Sequence, residues 1–131
     1  MPAAHDLLVA YDDTDAGRRA VEFAADRAAL TGESVDVVHA GTEHTATQLR
    51  EELGSIFDER QVPVQFSVIE IGGSDEKNVS ISATLGELIE DNDYALVVMG
   101  NEGRGLFHQL SEGSVTDAVI ETGLVPVTLV P

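Results

Sequence analysis

Four residues in the last third of the sequence have the types and spacing of a phosphate cradle. Glycines stand at Gly100, Gly103 and Gly113, with two residues between the first pair and nine between the second, and Ser114 follows directly. Glycine lets the backbone approach an anion closely. A helix start offers unpaired N–H groups at the positive end of its dipole, and a serine hydroxyl adds one donor. The flanking residues supply the strand and the helix such a loop needs. Tyr94-Ala-Leu-Val-Val-Met99 is short and apolar throughout, while Val115, Ala118 and Val119 recur at helical spacing. A second polar group, Asp12, Asp13 and Asp15, follows the apolar run Leu7–Tyr11. Acids at a helix start are favoured by the dipole, which accounts for Asp13 and Asp15. Carboxylates beside phosphates also make a site for Mg²⁺ or a similar divalent ion.

The elements that must position these residues read as an alternation. Leu7–Tyr11 is a first strand, and Val21, Ala24, Ala25 and Ala28 form the inner face of a helix stopped by Gly32. A second strand covers Ser34–Ala40. Thr45 and Gln48 have the spacing of a capping box for a second helix, whose inner face is Leu49, Leu53, Ile56 and Phe57. Val64–Ile71 is a third strand of ambiguous phase, and Ile81, Leu85, Leu88 and Ile89 mark a third helix. The strand ending at Met99, the glycine loop, a fourth helix ended near Gly123 and a fifth strand over Val125–Val130 complete the series. Strands alternating with helices imply a parallel, doubly wound α/β sheet. In a flavodoxin-like layout with strand order 3-2-1-4-5, ligands bind where the order reverses, outside the carboxyl ends of strands one and four. The Asp12–Asp15 turn and the Gly100–Ser114 loop both leave the sheet there.

At 131 residues the chain has the length of one domain, expected over 1–131. Six arginines and one lysine, Lys77, face 24 acidic residues, a formal net charge of −17. A broad basic face for nucleic acid or anionic membrane is therefore not expected. An acidic surface nearly devoid of lysine suits high salt, which screens self-repulsion, and points to a halophilic source. No apolar run approaches the roughly 20 residues of a membrane helix. The N-terminal residues lack the pattern of a signal peptide, so a cytoplasmic protein is expected. The absence of cysteine excludes disulfides and thiolate chemistry. The histidines, His5, His39, His44 and His108, show no metal-ligand spacing. His39 reads as a satisfied strand residue.

The glycine spacing, the preceding strand ending in Met-Gly, Ser-Val at the following helix start and the closing Pro-Val-x-x-Val resemble the universal stress protein family. More specifically, they resemble its ATP-binding branch, with its Gly-2x-Gly-9x-Gly-(Ser/Thr) motif and its adenine nucleotide alpha hydrolase-like fold. The resemblance spans essentially the whole chain. It implies that Asp12 lies on the ribose and phosphate side of a nucleotide, where it could also meet a Mg²⁺ or Mn²⁺ ion carried by the phosphates. Ala40 is implied to contact adenine through its backbone, and Met99 and Gly100 to line base and ribose. Gly103, Gly113, Ser114 and Val115 are implied to hold phosphates, with Arg104 adding charge. The resemblance also implies a stress-response regulator that binds ATP and hydrolyses it slowly at most, no positioned general base being evident. It further implies a homodimer formed through Val127–Val130 and a downstream protein of unknown identity. Two departures stand out: Asp13-Thr14 replaces the frequent Gly-Ser, and Glu102 sits at the mouth of the loop, where a carboxylate opposes an anion. Glu102 and the acidic surface favour a second reading, a dimeric interaction module of the same fold that binds no nucleotide. A receiver domain is excluded, since Glu70-Ile-Gly-Gly stands where strand three should end in an acceptor aspartate.

Overall fold

The computed structural model describes residues 6–40, 45–69, 85–100, 123 and 125–131. Five strands, β1 (Leu7–Tyr11), β2 (Val35–Ala40), β3 (Val64–Ile69), β4 (Leu96–Gly100) and β5 (Val127–Val130), form one sheet in the order β3-β2-β1-β4-β5. Every pairing is parallel, from Leu7 opposite Val35 on one side of β1 to Leu7 opposite Leu96 on the other. Parallel neighbours need crossovers, and helices α1 (Asp15–Thr31) and α2 (Ala46–Asp58) supply two of them. Residues 85–91 form a third helix, α3. The expected fourth helix lies outside the described residues.

The central strand explains the layering. All five residues of β1 are buried, because a parallel sheet covered on both faces has no solvent side. Leu7, Val9 and Tyr11 join the core beneath α1 and α2, with Leu49, Leu53 and Phe57 from the latter. Leu8 and Ala10 turn to the opposite face, where Leu85, Ile89 and Met99 pack. The phase of β3, ambiguous in sequence, is settled by its register on β2. Val35 faces Val64 and Val37 faces Phe66, so Val64, Phe66 and Val68 share the α1–α2 side while Ile69 takes the other.

Helix α1 begins and ends for identifiable reasons. Thr14 caps its start, its hydroxyl accepting from Gly17 N–H. Gly32 ends it at φ 79 with its N–H on the Ala28 carbonyl, a left-handed conformation that glycine adopts at least cost. Helix α2 carries the reciprocal capping box of Thr45 and Gln48. Among the described residues no helix is long and apolar enough to cross a membrane.

Candidate functional site

The carboxyl ends of β1 and β4 lie side by side, since Ala10 pairs with Met99. The sheet reverses its sequence order between these two strands, the position at which open α/β sheets hold ligands. Asp12 leaves β1 as a buried carboxylate, only 8% exposed. Its Oδ1 accepts a 2.6 Å hydrogen bond from the Thr14 hydroxyl and a longer one, 3.3 Å, from Thr14 N–H. The Thr14 hydroxyl in turn accepts from Gly17 N–H at 2.9 Å. One polar chain thus runs from the first turn of α1 to the strand-end carboxylate.

Beside it, β4 ends on Gly100, and the absence of a side chain there is a packing requirement. A Cβ on Gly100 would lie 2.6 Å from Gly17 N and 2.7 Å from the Ala16 carbonyl carbon, both backbone atoms. The start of α1 therefore rests directly on the end of β4. Gly17 meets a complementary constraint, since its Cβ would lie 2.5 Å from Asp12 Oδ1. Two glycines and Asp12 interlock the two strand exits.

Asp13 departs from expectation. It is not a first-turn acid of α1; it precedes the Thr14 cap at φ 67. Aspartate is among the few non-glycine residues that tolerate this region, so it can stand where the resemblance favours glycine. Its carboxylate meets the Tyr11 hydroxyl at 3.1 Å, and Glu52 of α2 approaches the same hydroxyl at 3.3 Å. Burial, followed by the charges of Asp13 and Glu52, holds the Tyr11 phenol well above its ordinary value. Asp15 does occupy the first turn of α1.

His39, near the end of β2, is buried, with Nδ1 3.0 Å from the Tyr11 carbonyl. That acceptor assigns the proton to Nδ1, as befits a satisfied strand histidine. Ala40 ends β2 opposite Ile69, and Met99 is buried in the core on the α3 side. Gly103, Arg104, Gly113, Ser114 and Val115, together with Glu102 and His108, lie outside the described residues. Asp12, Met99 and Gly100 thus sit at the exits of adjacent strands, with Ala40 at the end of the strand on the other side of β1. The residues missed in sequence were Thr14 and Gly17: Thr14 has a capping type and Gly17 sits three residues further on, a spacing that could have been read as a cap and its partner. A polar depression lined by Gly32, Arg60, Gln61 and Pro63 lies at the opposite, amino ends of the strands and takes no part in this arrangement.

With this geometry in place, comparison with known proteins decides the family. The universal stress protein family model matches residues 4–131. The chain belongs to the universal stress protein family. A universal stress protein crystallised in complex with cAMP superposes with a TM-score of 0.71 at 21% identity, covering 98% of each chain. A universal stress protein from Archaeoglobus fulgidus in complex with dAMP gives a TM-score of 0.66 at 23% identity, covering 98% of this chain and 99% of its own. Another from Archaeoglobus fulgidus DSM 4304 gives 0.73 at 24% identity over 96% of this chain, which corresponds to 43% of that longer one. No curated protein matches.

Proposed function

We propose that this member of the universal stress protein family is a nucleotide-responsive regulatory protein, one domain over 1–131 that binds ATP at the junction of β1 and β4. The observation that carries the reading is the interlock of Asp12, Gly17 and Gly100 at the switch point, which brings a carboxylate and a side-chain-free strand end to one place. The glycine spacing Gly100, Gly103, Gly113 with Ser114 supports a phosphate loop leaving that same strand end, and solved relatives in complex with cAMP and dAMP support an adenine nucleotide.

In this reading the Ala40 backbone meets adenine and Met99 and Gly100 flank base and ribose. Gly103, Gly113, Ser114 and Val115 present N–H groups to phosphates, with Arg104 nearby. A divalent ion, Mg²⁺ or Mn²⁺, would ride on the phosphates with Asp12 as its one protein ligand; among the described residues no cluster of three metal-binding side chains exists. Bound nucleotide acts by stabilising one conformation or assembly that a downstream protein reads. The proposed assembly is a homodimer through β5. This four-residue strand ends the sheet order, with Leu129 exposed, and light scattering returning a monomer mass would refute it. The protein is placed in the cytoplasm on the same reading.

The experiment is to denature purified protein, kept in molar KCl with Mg²⁺, and identify released nucleotide by chromatography and mass. Stoichiometric adenine nucleotide, lost in Gly113→Val and Ser114→Ala, is expected. A nucleotide of another base, or retention of nucleotide in both variants, overturns the assignment.

A further inference from the structure

We propose that Arg50 closes the β3 edge of the sheet against a strand from a second copy of this chain. The inference needs neither a bound nucleotide nor the dimer proposed above. β3 stands at one end of the sheet order, and among the described residues no strand lies beyond it. Val35 N–H bonds the Pro63 carbonyl. Peptide groups alternate sides along a parallel strand, so Val64, Phe66 and Val68 turn their N–H and carbonyl groups away from β2. Such a row is a template for another strand.

Arg50 of α2 meets that row at its start. Its Nη2 donates to the Val64 carbonyl at 3.5 Å, one of the acceptors an incoming strand would use. Its guanidinium carbon lies 5.2 Å from the centre of the Phe66 ring, within cation–π range. Phe57 holds the same ring edge-on, with the ring centres 6.0 Å apart. Helix α2 thus supplies both the support of the ring and the cation over it. A strand added here would have to place its own N–H on the Val64 carbonyl and displace that cation. The other edge differs in kind: β5, Val127–Val130, carries no charged side chain, and Leu129 is exposed. With both edges open, β5 of one copy could continue the sheet at β3 of the next, a head-to-tail contact that never closes. One strapped edge stops that series.

The test is light scattering after size exclusion on the wild type and Arg50→Ala over a range of concentrations. Molar KCl screens the net charge of −17, and amide-resolved hydrogen exchange is measured on both proteins. Arg50 is exposed and alanine suits a helix, so the variant should keep the wild-type melting temperature. The wild-type mass should level off with concentration, whereas that of Arg50→Ala should climb to about twice the wild-type value or beyond. In the heavier species the amides of Val64, Phe66 and Val68 should exchange more slowly than in the wild type. Equal masses overturn the proposal, as does a wild-type mass that climbs without levelling. A rise in mass without slowed exchange at those three amides also overturns it, because association would then run through another surface. The comparison is with the wild type's own mass, so a monomeric wild type refutes the β5 dimer while leaving the role of Arg50 under test.

Discussion

A methyl group at position 100 has nowhere to go: the atoms it would meet, Gly17 N at 2.6 Å and the Ala16 carbonyl carbon at 2.7 Å, are backbone. Gly100→Ala must therefore push α1 away from β4, and we expect a loss of roughly 2 kcal/mol or more by denaturant unfolding. Equal stability of the variant would show that the two strand exits are not in contact. The sequence announced Gly100 as a phosphate-loop glycine, and its helix-packing duty was invisible because Gly17 is 83 positions away in the chain. Asp12 was legible as a strand-end acid. Its hydrogen bonds with Thr14 were not read, although the two lie only two residues apart, because capping preference indicates which residue starts a helix but not what its hydroxyl donates to.

At the level of elements, short-range chemistry was the legible part. Thr45 and Gln48 were read as a capping box from their three-residue spacing, and both of its hydrogen bonds are present, 3.1 Å to Gln48 N and 2.8 Å from Thr45 N. Thr45→Ala should cost about 1 kcal/mol, measured as a fall in urea midpoint at unchanged slope; an unchanged midpoint would mean that α2 is held by its Leu49, Leu53 and Phe57 face alone. The apolar faces of α1 and α2 were equally plain, since helical spacing reports burial directly. The phase of β3 was not, because Val64, Phe66 and Val68 keep one alternation and Ile69 and Ile71 the other, and only its register on β2 decides which residues face α2. The Tyr11 hydroxyl, shared by Asp13 and Glu52, likewise joins elements that no local pattern connects.

For the whole molecule, charge and burial set two further expectations. A net charge of −17 makes the folded chain repel itself at low ionic strength, and salt relieves that repulsion within a Debye length of about 10 Å at 0.1 M. Thermal stability should therefore rise from low to molar KCl; a fall would contradict an acidic surface adapted to salt. At alkaline pH the two tyrosines of the chain, Tyr11 and Tyr94, act together. Burial raises both phenols above the ordinary 10.0. The charges of Asp13 and Glu52 add to this at Tyr11, and the 2.6 Å bond to Asp36 adds to it at Tyr94. Because the folded values lie above the unfolded ones, the stabilisation is complete below about pH 10 and is lost as pH climbs above it. Tyr94→Phe should flatten that decline in melting temperature, and an unaltered decline would place its origin elsewhere.

We propose above all that an adenine nucleotide occupies the junction of β1 and β4. Calorimetric titration of ATP with Mg²⁺ into nucleotide-stripped protein in molar KCl tests it most directly, with Asp12→Ala as the control. One site per chain, weakened roughly tenfold or more in Asp12→Ala, is the predicted result. An absence of binding by ATP, AMP and cAMP alike would contradict it, and would leave a universal stress protein fold that works through its surface, with Glu102 as the first residue to examine.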